Sequence, residues 1–453
     1  MKIKTINFER EGNTALYMQI YKKIQHDILS NYLKKGDQLP SIRKATTLMK
    51  VSKTSIERAY EQLAEEGFII SIPQKGYFVD VDLEQVALRN QMKKRSIPTK
   101  TDLIRYDFRS QSMDSDSFDM KLWKKYLKEV LDEPMQISTY GDAQGEVILR
   151  NALQNYAYSI RGVLCTSEQI LIGSSFQSLL YILCGLLPQD CIIGMEETGF
   201  FPAETVFFDY GLQVRKLPTH EEGILLKDLQ ASDVQVLYIN SVSQGCNHQP
   251  ITKKTRQAYI QWAVKTNALI IEDDHNGELR YQSKLTPAMQ GFDMGEHIVY
   301  IGSFSKLLLP SLRISYMVFT KALQERYLAR KNTYSPTSSK IEQLALAHYI
   351  TDGHLERHVK RLRKRYEQKS HQMLCLLQVY FPDTTLILEE AALQIIVRFH
   401  ETIDIDAFIE KAKQQYLMIQ KNNMNELVLS FAAIKEDEMR DALQVLRACF
   451  NAA

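Results

Sequence analysis

A chain of 453 residues is too long for one ordinary domain and is expected to fold as two or three. Its 45% hydrophobic and 24% charged residues are the composition of a soluble globular protein. A net charge of only +2 excludes any global field that would announce nucleic acid or a membrane surface. The first 80 residues are slightly more basic, with 13 Lys and Arg against 9 Asp and Glu, or +4. The six cysteines, at 165, 184, 191, 246, 375 and 449, lack metal-ligand spacing and suit a reduced cytosolic protein. The N-terminus has no apolar signal core, and the most apolar run, Leu179 to Leu187, is too short to span a bilayer. A cytoplasmic protein is expected.

Residues 16 to 80 are compactly punctuated. Leu16, Ile20, Ile24 and Ile28 recur every four residues and predict one apolar helix face. Lys35-Gly36-Asp37 breaks that helix, and Ser41 is a good N-cap for a second. A third should begin at Ser52, bury Ile56, Ala59 and Leu63, and stop at Gly67. Phe68 to Ile72 and Tyr77 to Val79 then read as two short strands around Pro73-Gln-Lys-Gly76. Three helices and a hairpin make a winged helix-turn-helix, in which the third helix points its N-terminus at the major groove. Ser52-Lys53-Thr54-Ser55 supplies polar donors there, and Lys75 at the hairpin tip could reach a groove or phosphate. On pattern alone, a small helical module that binds protein stays open.

Leu39-Pro-Ser-Ile-Arg43, Val51-Ser-Lys-Thr-Ser-Ile-Glu-Arg58, Glu66-Gly67-Phe68 and Gly76-Tyr-Phe-Val79 resemble the GntR-type DNA-binding domain. The resemblance implies that Arg43, Ser52, Lys53, Thr54, Arg58, Lys75 and Gly76 contact a double-stranded DNA operator.

Residues 81 to 105 are polar, include Lys93-Lys94-Arg95 and Pro98, and read as a linker. From about 106 onward strand-like and helix-like segments alternate, which predicts a mainly parallel α/β sheet. The strand candidates are Gln169 to Ile172, Asp190 to Met195, Val234 to Asn240, Ala268 to Glu272 and Ile298 to Ile301. After about 335 the chain turns helical and ends in mixed segments, expected to form a smaller C-terminal lobe. Its run Lys360-Arg-Leu-Arg-Lys-Arg365 reads as a solvated or interface face of a helix.

Two stretches in this region carry chemistry. In Ile298-Val-Tyr-Ile-Gly-Ser-Phe-Ser-Lys306, a short apolar strand delivers a lysine to its end, where ligands meet open α/β sheets. Lysine amines condense with aldehydes, and burial lowers their pKa so that they can attack. Arg313, Ser303 and Ser305 could bind a phosphate. In Ile270-Ile-Glu272-Asp273-Asp274-His275, carboxylates crowd the end of a buried strand, which is costly unless they face a charge. A metal is conceivable beside His275, but no second ligand cluster accompanies it. The better joint reading is a pyridoxal phosphate site, with the aspartate holding the pyridine nitrogen protonated and Lys306 forming the aldimine.

The order of motifs resembles the fold-type I aminotransferases. Tyr140-Gly-Asp-Ala-Gln-Gly145, Ile172-Gly-Ser-Ser-Phe-Gln177, Glu196-Glu-Thr-Gly-Phe200, Asp273 and Ser303-Phe-Ser-Lys306 with Arg313 carry it. It implies Ser175 and Phe176 at a helix N-terminus that holds the phosphate. It further implies Phe200 stacked on the ring, and Tyr140, Gln244 and His275 near the cofactor. A GntR-type domain fused to such a domain is similar to the MocR family of transcriptional regulators. The family implies a winged helix-turn-helix over 1–80, a linker over 81–105 and an aminotransferase-like domain over 106–453. It also implies a head-to-tail homodimer and an amine or pyridoxal phosphate effector. Several positions depart from the aminotransferase pattern. Ser175-Phe176 replace Gly-Thr, His275 replaces a tyrosine, and Gln394 replaces a histidine. The loop from Asn240 to Asn247 is shortened, and Val428 stands where an arginine would grip a substrate carboxylate. These losses argue against transamination. A working aminotransferase carrying a DNA-binding domain, or a regulator using the large domain as a cofactor-free dimerisation scaffold, are the alternatives.

Overall fold

The computed structural model describes residues 15–81, 104–109, 113–197, 199–221, 223–245, 248–282, 286–423 and 425–451. Residues 82–103 of the expected linker, with its basic triplet Lys93-Lys94-Arg95, lie outside the described residues. The chain divides into two compact units, on either side of Thr101 and Asp102.

The first unit contains helices α1 (Leu16–Leu29), α2 (Ile42–Met49) and α3 (Lys53–Glu65), then strands β1 (Ile69–Ile72) and β2 (Gly76–Val79). Ile20, Ile24 and Ile28 from α1 meet Ile56, Ala59 and Leu63 from α3 in one core, all at most 1% exposed. Burial on that scale contributes about 1.5–3 kcal/mol for each large aliphatic side chain. Ser41 and Ser52 cap α2 and α3, their hydroxyls accepting from the amides of Lys44 and Ser55. The buried Tyr60 hydroxyl donates to the Pro40 carbonyl at 3.0 Å and ties α3 to the entry of α2. Gly67, at φ +77°, lets the chain leave α3 into the wing. β1 and β2 pair antiparallel, and the bridge from Gln38 to Phe78 widens the wing.

The second unit is built on a seven-stranded sheet. In chain order its strands are β3 (Ile170–Gly173), β4 (Ile192–Glu196), β5 (Gln213–Leu217), β6 (Val236–Asn240), β7 (Leu269–Asp273), β8 (Ile298–Ser303) and β9 (Ser315–Val318). Their spatial order is β3-β9-β8-β7-β6-β4-β5, and β9 alone runs antiparallel to its neighbours. The buried strands, the edge strand β3 among them, are apolar on both faces because both faces are covered. Leu171, Ile271 and Val299 pack to one side; Ile170, Ile172 and Tyr300 pack to the other.

Two strands of this sheet escaped the sequence reading. β5 (Gln-Val-Arg-Lys-Leu) is an edge strand with two cations, and β9 is only four residues long. A second sheet of β10 (Thr384–Glu389), β11 (Gln394–Phe399), β12 (Gln420–Asn423) and β13 (Glu426–Ser430) forms the C-terminal lobe, antiparallel in the order β10-β11-β13-β12. The 27-residue helix His354–Tyr380 packs on it. The run from 360 to 365 lies on this helix and is more than a solvated face. Leu362 is buried, Arg363 donates to the Glu278 carbonyl, and Arg365 pairs with Asp114 at 2.7 Å. Among the described residues, no helix is long and apolar enough to cross a membrane.

Candidate functional site

In a parallel sheet, neighbouring strands deliver their last residues to one edge. Here Asn240, Asp273 and Ser303 end β6, β7 and β8, and Ser315 opens β9 in register with Ser303. All four line a cavity of about 430 Å³. Of the residues expected to hold a cofactor, Lys306, Asp273, Ser303, Ser305, Arg313, Phe200, Ser175, Phe176 and His275 line it too.

Lys306 lies in the turn after β8, and burial pulls its amine down from 10.5 to about 8. A lysine so placed has a reactive neutral fraction near neutral pH. Burial pushes the Asp273 carboxyl up to about 7, although the Tyr238 hydroxyl, donating to it at 2.7 Å, opposes that rise. The two acidic neighbours are used elsewhere. Glu272 accepts from the amides of Met289 and Gln290, at 2.8 and 3.0 Å. Asp274 is locked in a fully buried pair with Arg161 and also accepts from Tyr300 at 2.8 Å. Only Asp273 of the three opens on the cavity. Burial, and next the Lys306 charge, lower His275 to about 4, so its imidazole is neutral at ordinary pH.

Another part of the lining is suited to an anion. Helix Phe176–Cys184 starts here, and its cap is reciprocal: the Ser178 amide donates to Ser175 Oγ at 3.1 Å, and the Ser175 amide donates to Ser178 Oγ at 3.0 Å. The amides of Phe176 and Gln177, the first two helical positions, have no partner within the helix. A helix N-terminus favours a negative group at this point. Ser303 Oγ lies 3.1 Å from Ser305 Oγ and 3.2 Å from Ser315 Oγ. Arg313, an exposed residue held at φ +50° just after a 3-10 turn, lines the cavity with them. Phe200 and Phe176 meet edge to face at 5.8 Å and supply the aromatic wall.

Two expected residues stand apart. Gln244 is buried outside the cavity lining, against Gly223, where a Cβ would come within 2.8 Å of its Oε1. Tyr140 is 95% exposed and does not line the cavity of its own chain. The rest of its motif anchors the sheet edge: the Ile172 amide donates to the Gln144 carbonyl at 2.9 Å, and a Cβ on Gly145 would meet Ile172 at 2.6 Å. Tyr238, Asn240, Ser315 and Glu389 were missed in the sequence. Each sits on a strand whose apolar pattern signals only core.

In the first unit, Arg43, Ser52, Lys53, Thr54, Arg58 and Lys75 are all exposed, and Gly76, at φ +103°, shapes the wing tip. They occupy α2, the start and outer face of α3, and the wing. Lys53 pairs with Glu57 at 3.2 Å, one turn on along α3.

Two family models match the chain. Residues 16–79 match the bacterial regulatory proteins of the gntR family, and residues 106–446 match aminotransferase class I and II. The HTH-type transcriptional regulator YdeL of Bacillus subtilis (strain 168) is 31% identical, over 98% of each chain. The chain belongs to the MocR family of transcriptional regulators. A relative from Rhizobium meliloti, named "Probable rhizopine catabolism regulatory protein MocR", is 25% identical over 98% of this chain and 95% of its own. An archaeal alanine:glyoxylate aminotransferase shares the fold of the large unit, with a TM-score of 0.70 over 81% of this chain and 95% of its own, at 20% identity. This MocR-family chain is therefore a DNA-binding regulator with an aminotransferase-like domain, and pyridoxal phosphate is the cofactor that domain is built for. The residues present fit it. Arg313 and the amides of Phe176 and Gln177 suit its phosphate, Asp273 suits its ring nitrogen, and Lys306 suits its aldehyde.

Proposed function

We propose that the large domain, 106–453, captures pyridoxal phosphate on Lys306. In this reading it uses the cofactor to sense pyridoxal phosphate itself, an amine, or both, and thereby changes how the winged helix-turn-helix of 1–80 binds its operator. The single observation behind the reading is that Lys306, Asp273 and the anion wall around Arg313 line one cavity. The cofactor supplies an aldehyde that condenses with a primary amine. The protein's own groups do the rest. Lys306 offers a neutral amine, Asp273 shares a proton with the ring nitrogen, and the helix amides, Arg313 and the serine hydroxyls hold the phosphate. Sensing requires that ligand binding favour one of two states of the chain.

The DNA contacts are assigned to Arg43, Ser52, Lys53, Thr54, Arg58 and Lys75, which share exposed positions on the helices and wing, and to the half-buried Gly76 at the wing tip. A head-to-tail homodimer completes the reading. It gives the exposed Tyr140 a place against the partner's cofactor, and it explains a neighbouring Met135 that is 83% exposed. Sedimentation at micromolar concentration checks the dimer; a monomer would contradict it.

The cofactor is tested by incubating the protein with pyridoxal phosphate, desalting it, and recording the near-visible spectrum beside Lys306→Ala. Retained colour in the wild type and none in the variant is the expected result. No retained band in the wild type would leave the large domain as a scaffold.

A further inference from the structure

A second cavity, of about 230 Å³, opens beside the first, and Phe200, Asn240, Glu389 and Gln394 line both. The annex adds Glu196, Ser243, His248, Ile396 and Asn422. Its chemistry is one-sided. Glu389 and Glu196 face it, and no lysine or arginine lines it among the described residues.

Glu389 is 9% exposed and accepts from Ser243 Oγ and from Gln394 Nε2, at 2.5 and 2.6 Å, both neutral donors. Its nearest cation candidate in the annex is His248 Nδ1, at 3.6 Å, which carries charge only when protonated. Glu196 accepts from the Gly245 amide at 3.1 Å, and burial raises its carboxyl to about 7. Carboxylates withdrawn from water are costly unless a cation or a proton meets them.

The far wall explains why no cation of the protein does so. Ile396 on β11 lines the annex and pairs with Val428 on β13, the position where the aminotransferase pattern would have a carboxylate-gripping arginine. Ile396 lines the annex there, and Val428 beside it in the sheet brings no guanidinium. An amino acid reaching from the cofactor into the annex would bring a third carboxylate against two others.

We infer that the effector is a short aliphatic diamine, whose first amine meets the cofactor while its distal ammonium lies in the annex against Glu389 and Glu196. The inference rests on the cofactor reading above and names its ligand class. The apolar chain of such a ligand suits Ile396 and Phe200, and Asn422 and Ser243 offer polar side chains near the ammonium.

The test is calorimetric titration of the cofactor-loaded full chain with 1,4-diaminobutane, 1-aminobutane and 4-aminobutanoate. The near-visible band is recorded in every sample. The diamine should bind about ten-fold more tightly than 1-aminobutane, with 4-aminobutanoate the weakest, as a charge-assisted contact requires. Glu196→Gln, outside the cofactor cavity, should erase most of the diamine's advantage and leave 1-aminobutane unchanged, and Glu389→Gln should erase most of the ratio between the two ligands. Equal or tighter binding of 4-aminobutanoate overturns the inference, as does a diamine preference that survives both substitutions. If one variant loses the band, the other decides, and if both do, the wild-type ranking of the three ligands decides. A band without diamine preference defeats this inference alone; no band in the wild type defeats it together with the cofactor reading.

Discussion

The two candidate sites are made in opposite ways. The residues proposed to contact DNA fall between Arg43 and Gly76, on consecutive elements, all exposed or partly so. The cofactor cavity gathers side chains from Ser174 to Gln394, and its chemistry depends on burial: Lys306 and Asp273 both owe their shifted protonation to it. The first site works by presenting charge to a partner in water, and its strength therefore depends on salt. The second works by excluding water, so each group acts only in the company of the others. A surface substitution should thus act locally in the first unit, and a single substitution in the second should disturb the whole site.

The strongest way to break this contrast is Leu63→Ala. Its side chain is fully buried in the small core of the first unit, and the truncation should cost about 2–5 kcal/mol. That approaches the stability of a domain this size, so DNA binding should be lost while the cofactor band is retained. Loss of both on the same melting curve would show that the two units do not fold separately. Next in size is Arg313→Gln, which removes the cation from the anion wall. Cofactor affinity, followed by the visible band during dialysis, should fall about 30-fold, in line with a lost charge-assisted contact. Little change would move the phosphate elsewhere. Arg43→Ala and Arg58→Ala should each weaken operator binding about ten-fold and lower the dependence on salt by roughly one ion. Fluorescence anisotropy across a salt series measures both. The smallest effect is one of pH. Only the neutral amine attacks, and Lys306 is depressed to about 8, so raising pH speeds cofactor capture. Stopped-flow absorbance should show a rise of about five-fold between pH 7 and pH 8, about two-fold more by pH 9 and a plateau beyond, as the neutral fraction of a group titrating near 8 requires. A flat profile would mean that Lys306 does not limit capture.

The sequence showed most of the first unit, because its helices are amphipathic, serines cap α2 and α3, and Gly36, Gly67 and Gly76 turn the chain at φ above zero. In the second unit it showed the anchors. Lys306, Asp273 and Arg313 stand in motifs because chemistry dictates them. Tyr238, Ser315 and Glu389 do not, since a hydroxyl or carboxylate on a strand becomes part of a site only when the register of neighbouring strands points it there. β9 illustrates this: its four residues are short enough to miss, yet its pairing sets Ser315 beside Ser303. Tyr140 and Gln244 were named by motif alone. The cavity of a single chain includes neither, one being exposed and the other packed behind a glycine.

The central claim is that cofactor capture at Lys306 controls DNA binding. It is tested most directly by the affinity of the full chain for the DNA upstream of its own gene, with and without pyridoxal phosphate, in the wild type and in Lys306→Ala. The account predicts a cofactor-dependent change of affinity or complex mobility in the wild type and none in the variant. An identical response of both proteins, or DNA binding indifferent to the cofactor in the wild type, would contradict it.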